Sequence, residues 1–119
     1  MVALSNTAPA SETSNPTADG NGVLANVTQI DYTNLSSRNI TTSSSAQTVG
    51  TYKLVLADLV LTASGAVGPF RYVYIYNDAP VSPADPLIGL YDYGSSITLA
   101  SGDTFTIDFD QTAGVLTIA

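Results

Sequence analysis

The sequence predicts an all-β protein: a single antiparallel β-sandwich, jelly-roll-like, carrying an extended N-terminal arm. Three observations lead there. Apolar and aromatic residues recur at every second position, at Phe70, Tyr72, Tyr74 and Tyr76 and again at Phe105, Ile107 and Phe109, which is the period of a pleated strand and not of a helix. Clusters of Gly, Pro, Ser and Asn separate these runs at short intervals, as turns separate strands. The 119 residues suit one domain, long enough to bury roughly two thirds of the surface its unfolded chain exposes.

Composition narrows the chemistry. Cys, His and Trp are absent. Without Cys the chain has no disulfide framework, thiolate metal site or cysteine nucleophile. Without His it lacks the commonest general base, so catalysis would fall to carboxylates, tyrosines and the cations Arg38, Lys53 and Arg71. Ten acidic residues against three basic ones give a net charge of −7 and a pI near 4.1. A polyanion such as nucleic acid would be repelled, because phosphate recognition needs clustered Lys and Arg. Only 11% of residues are charged, which implies a surface of small neutral polar groups and few charges to guard sheet edges. No apolar run reaches the roughly eighteen residues of a membrane span. The opening MVALSNTAPASETS has neither the basic nor the long apolar region of a secretory signal.

Residues 1–22 are Ala, Ser, Thr, Asn and Pro with too little bulk to build a core, so they read as a low-complexity arm held by a partner, and residues 23–119 as the sandwich domain. Within 23–33, Thr28, Ile30 and Tyr32 alternate against Val27, Gln29 and Asp31, which predicts a half-buried strand. A turn follows at 34–37. Residues 36–45 are nearly all Ser, Thr and Asn, and such side chains compete for backbone hydrogen bonds, so a loop or irregular edge strand is expected. Asn26, Asn34 and Asn39 begin three glycosylation sequons, which a stretch this rich in Asn, Ser and Thr produces by chance.

Residues 47–62 form the most hydrophobic run, apolar on both faces: Tyr52, Leu54, Leu56 and Val60 on one, Val55, Ala57, Leu59 and Leu61 on the other. Such a strand is either covered on both sides or completed by another chain. Ala57-Asp58 interrupts it and predicts a bulge at which one strand turns a corner between sheets. A flexible turn is expected at 63–69. Phe70, Tyr72, Tyr74 and Tyr76 then form an aromatic ladder, opposite Arg71, Val73, Ile75 and Asn77. Pro80, Pro83 and Pro86 make 77–86 a stiff exposed loop. Residues 87–94 resume a strand with Tyr91 and Tyr93 on one face, followed by a separate short strand at 95–100, a tight turn at 101–103, the alternating strand 104–110, a turn at 111–114 and a final strand at 115–119.

Three side-chain groups carry possible chemistry. Asp103, Asp108 and Asp110 offer hard oxygen ligands for calcium, but their spacing fits no calcium loop, and solvated carboxylates are the ordinary reading. Paired carboxylates such as Asp92 with Asp108 could in principle serve glycoside hydrolysis, but sequence does not place them at the required separation and no other catalytic group supports them. Arg71, set among tyrosines, suits stacking or pairing with a carboxylate across the sheet. No catalytic, cofactor or metal residues are therefore assigned, and the chain reads as a non-enzyme.

The succession FRYVYIYND, PLIGLYDYGSS, GDTFTIDFD and AGVLTIA across residues 70–119 resembles the C-terminal half of a family of small tailed-bacteriophage structural proteins encoded near the major capsid protein. The likeness reaches back to TYKLVLADLVLT if residues 51–62 are included. It rests on the order of several blocks. The resemblance implies a cement or decoration protein on the capsid surface of the virion, with the major capsid protein as partner, no cofactor, and no catalytic residues to carry over. A homotrimer on the lattice is expected, with the arm lying along capsid protein through Val2, Leu4, Pro9, Pro16, Val23 and Leu24. Removing residues 1–22 should then weaken capsid binding and leave a folded sandwich. Tyr72, Tyr74, Tyr76, Tyr91 and Tyr93 are possible interface aromatics. They also support an alternative, a carbohydrate-binding module on the virion surface; a tail, neck or baseplate component shares the same features.

Overall fold

Alternating apolar positions do become strands. The computed structural model describes residues 1–119 and contains β1 (Val2–Ser5), β2 (Thr42–Thr48), β3 (Thr51–Leu56), β4 (Leu59–Thr62), β5 (Val67–Tyr76), β6 (Leu87–Leu99), β7 (Thr104–Ile107) and β8 (Leu116–Ile118). The only helical elements are two three-residue 3-10 turns, Pro9–Ser11 and Leu24–Asn26. All pairings are antiparallel, in three sheets with strand orders β1-β5-β6, β2-β3-β8 and β4-β7. The all-β reading of the sequence therefore holds.

The main core lies where β1 and β5 face β3, β4 and β7: Val2, Leu4, Phe70, Val73 and Ile75 pack with Leu56, Leu61, Ile107 and Phe109. The break at Ala57-Asp58 is what lets one hydrophobic run serve two sheets. Leu54 and Leu56 face the core before it and Leu59 and Leu61 after it, so the phase shifts by one residue across the corner. The corner is pinned on both sides, since Ala57 N–H donates to Thr41 O at 2.9 Å and Asp58 Oδ1 accepts from Phe109 N–H at 2.9 Å. Val60, expected on the face of Leu54 and Leu56, is turned outward by this shift and is 52% exposed.

The N-terminal segment does not extend away from the body, contrary to the arm expectation. β1 runs antiparallel to β5, with Val2 opposite Ile75 and Ser5 opposite Tyr72, and all four of its residues are buried. The cause is local: VAL supplies apolar side chains to both faces of the sheet, Val2 and Leu4 to the main core and Ala3 to a second cluster with Tyr72, Tyr74, Tyr76 and Val27. Residues 6–22 then fold back as an irregular strap, tied by Glu12, whose carboxylate accepts from Thr28 N–H at 2.7 Å and Thr28 Oγ1–H at 2.8 Å.

Residues 23–33 are not the expected strand. Their donors and acceptors go to β1, the strap, Asp85 O and local turns instead of a ladder: Ile30 N–H donates to Leu4 O, Leu4 N–H donates to the Tyr32 hydroxyl, Leu24 N–H donates to Asp85 O, and Asp31 accepts from Thr33 N–H and Oγ1–H. The Tyr32 hydroxyl thus stands where a neighbouring strand would otherwise satisfy the outer edge of β1. Arg38 completes this cover, with its guanidinium 3.8 Å from the Tyr32 ring centre and donating to Val2 O.

Two further expectations are corrected. The β5–β6 pairing slips between Phe70 and Tyr72, so Phe70 leaves the tyrosine ladder and joins Val73 and Ile75 in the main core. Residues 95–100 are not a separate strand, because β6 runs unbroken from Leu87 to Leu99 through Gly94, whose φ of +91° only glycine adopts without strain.

Candidate functional site

Burial removes most of the residues expected to meet a partner. Val2 and Leu4 are 0% exposed, and Pro16, within the strap, is buried. Pro9, Val23 and Leu24 are half-buried, Val23 bridging to Pro86 and Leu24 packing on the tyrosine cluster. Tyr72, Tyr74 and Tyr76 are 8%, 0% and 5% exposed, so the ladder is a core face under the strap and not a stacking platform. The Tyr74 hydroxyl is sealed in without a hydrogen-bond partner, and burial pushes its pKa up to about 12. Tyr91 and Tyr93 alone among the five remain accessible, at 46% and 56%.

The surface most open to a partner overlaps the loop or irregular edge strand expected at residues 36–45, set a few residues further along at Thr42–Thr48. β2, TSSSAQT, is exposed along its whole length and pairs only with β3, which leaves its outer edge free. It carries no charge or proline, the usual guards against strand addition; its only irregularity is a register shift between Thr42 and Ser44. The β2–β3 hairpin ends in Val49-Gly50, with φ of 49° and 81°. Positive φ at both central residues is the geometry of a type I′ turn, in which Asn-Gly is the favoured pair and a β-branched residue is strained. Val49 is nonetheless 96% exposed, so it packs on nothing that would explain it.

At its base the hairpin overhangs a groove of about 450 Å³, where Tyr52, Leu54 and Ser45 face Ile75, Tyr76 and Ile88. Ser45 Oγ and Tyr52 Oη lie 2.9 Å apart and hold the two hairpin strands together on that side. Lys53 reaches across to donate to Thr112 O at 2.9 Å, tying β3 to the turn before β8. Gly114 in that turn has φ +83°, and a Cβ there would sit 2.8 Å from Leu54 O, so only glycine lets β8 approach β3.

A second, smaller concavity of about 190 Å³ opens between β6 and β7, lined by Val73, Tyr91, Tyr93, Phe105, Thr106 and Asp108, with Asp92 at its margin. Asp92 and Asp108 thus both border this cleft. They do not make an acid pair. Arg71 donates to Asp92 through Nε at 2.7 Å and Nη2 at 2.8 Å, and with the Gly94 N–H this holds the carboxyl at about 2, permanently ionised at neutral pH. A glycosidase acid needs the opposite shift.

The three aspartates considered for calcium do not gather. Asp103 accepts from Ala100 N–H across its own turn, Asp110 accepts from Thr112 and Ala113 N–H groups that lower its pKa, and Asp108 lies at the cleft. No three acidic side chains come together anywhere in the chain. No helix is long and apolar enough to cross a membrane. No family model, curated protein or solved structure matches the chain.

Proposed function

We propose that this chain is a virion structural protein of a tailed phage, a capsid cement or decoration protein whose β-sandwich, jelly-roll-like in its layering, binds the major capsid protein as a homotrimer. The observation that carries the reading is the hairpin tip: Val49 is a β-branched residue held at φ 49° and 96% exposed, a conformational cost with no return inside the fold. Strained backbone of this kind clusters at functional sites. The resemblance of residues 70–119 to phage shell proteins supplies the kind of partner.

The route to the shell differs from the one the sequence suggested. With Val2 and Leu4 in the core, the N-terminal segment is not free to lie along capsid protein. The free edge of β2 takes that role: an extended capsid segment adds as a strand beside Thr42–Thr48, main-chain hydrogen bonds supply affinity, and Val49 inserts into an apolar pocket of the partner. Clamping two capsid subunits in this way resists their separation through the area buried, at about 25 cal/mol per Å².

The test separates folding from binding. Val49→Asn should raise stability by about 1 kcal/mol, because Asn tolerates the left-handed conformation, while weakening co-sedimentation with cognate capsids. The pair Ser44→Lys and Ala46→Lys should leave the fold intact and abolish co-sedimentation by charging the edge. Undiminished capsid binding by the double lysine variant would sink the strand-addition route, and no binding by the wild-type chain would sink the capsid reading itself.

A further inference from the structure

The cleft between β6 and β7 lies on other strands than the free edge of β2, and its chemistry is the same whether or not the chain decorates a shell. Tyr91 stands directly opposite Val73 across the β5–β6 ladder, so Tyr91 and Tyr93 occupy the sheet face that elsewhere forms the main core. Here that face runs beyond the cover of β4 and β7 and reaches solvent, leaving two large aromatic side chains 46% and 56% exposed at a concave site. The Tyr93 ring is also held in place, edge-to-face with Phe105 at 5.6 Å and 71°, and Phe105 is itself set edge-to-face against buried Phe70 at 5.2 Å. An aromatic surface anchored from the core in this way loses little freedom on binding.

The polar groups around it are specific in kind. Asp92 is spent on Arg71 and the Gly94 N–H, and the two opposite charges cancel. Asp108 is left as the lining carboxylate with both oxygens free of protein partners, beside the exposed hydroxyl of Thr106. The site therefore pairs flat apolar faces with acceptors for several hydroxyl donors and carries one uncompensated charge. A volume of about 190 Å³ is smaller than the range of about 300–1,000 Å³ that engulfs a drug-sized molecule, so it admits one ring of a longer ligand.

We propose that this cleft is a carbohydrate subsite that takes one neutral pyranose ring, its C–H face against Tyr91 and Tyr93 and its hydroxyls donating to Asp108. A second copy of this chain is a poor occupant for the acidic rim, because its cations are engaged: Arg38 on Tyr32 and Val2 O, Arg71 on Asp92, Lys53 on Thr112 O. With so few contacts the affinity for a single site should be about millimolar.

The test is a titration of the isotopically labelled full chain, read as amide shifts by NMR, with maltotriose, cellotriose and chitotriose in turn at up to about 10 mM, the range where millimolar binding shows. At least one of these should shift the amides of Tyr91, Tyr93, Thr106 and Asp108 together. Asp108→Asn, at an exposed position, and Tyr93→Ala should each weaken that binding tenfold or more, whereas Tyr93→Phe, which keeps the ring, should retain it. Absence of shifts with all three sugars overturns the proposal, as do shifts centred elsewhere or full binding by Asp108→Asn. If tetralysine shifts these amides and the sugars do not, the cleft is a site for basic side chains and the proposal is wrong.

Discussion

Arg71 and Asp92 form the one salt bridge of the molecule, a two-point contact across β5 and β6 with side chains 38% and 44% exposed. At that exposure its effect is better seen in pH dependence than in overall stability. The Asp92 carboxyl is held at about 2, below its ordinary 3.8, so its contribution is complete above pH 3.8 and is lost as pH falls through about 2. Urea unfolding followed from pH 5 down to that range should show stability declining, and Asp92→Asn should flatten the part of the decline due to this pair. That Arg71 would stack or pair with a carboxylate across the sheet was legible in the sequence, but not which of the two it does or with which partner. The roles of Tyr32 and Tyr74 were not. Nothing in local alternation tells which tyrosine will cap a distant strand edge with its hydroxyl and which will be sealed without a partner, since both depend on contacts across tens of residues.

Strands are legible from period and turn chemistry, and where the period is clean the structure follows it, as at Thr104–Ile107 with Phe105 and Ile107 inward. The Ala57-Asp58 corner was legible as well, because a polar residue in the middle of an apolar run has few explanations. Its mechanics were not. Asp58 accepts the Phe109 N–H just past β7 and so couples the corner to the strand that pairs with β4. Asp58→Ala should cost about 1–2 kcal/mol by leaving that N–H unpartnered, measured as a lower denaturant midpoint with unchanged slope. The failures at this scale share one cause. The slip between Phe70 and Tyr72 and the unpaired course of residues 23–33 are decided by what lies alongside, and a strand pattern carries no record of its neighbour.

For the whole molecule, alternation announced the all-β class, and composition announced an acidic chain rich in small polar residues. It misjudged the N-terminus, because Met1 to Ser5 is a short apolar island ahead of a long low-complexity stretch and was averaged away with it. Val2 and Leu4 at 0% exposure make the opposite prediction to a removable arm. Leu4→Ala should cost about 2–5 kcal/mol, a large share of the roughly 5–15 kcal/mol that holds a domain this size together. Deleting residues 1–22 should unfold the chain, visible as loss of the cooperative thermal transition by circular dichroism. A truncated protein that still melts cooperatively would return the segment to the status of an arm.

The place of β1 also bears on how the chain reaches this structure. Met1 donates to Tyr76 O across 75 positions, and β1 has no ladder partner other than β5. During synthesis β1 must therefore wait, apolar and unpaired, until β5 has been made. Folding that closes so long a loop is slow for its size, on the order of milliseconds to seconds for β-rich domains. In that interval VAL and the bare edge of β2 are both open to neighbours, so yield during expression should respond more strongly to temperature and chain concentration than the finished fold suggests.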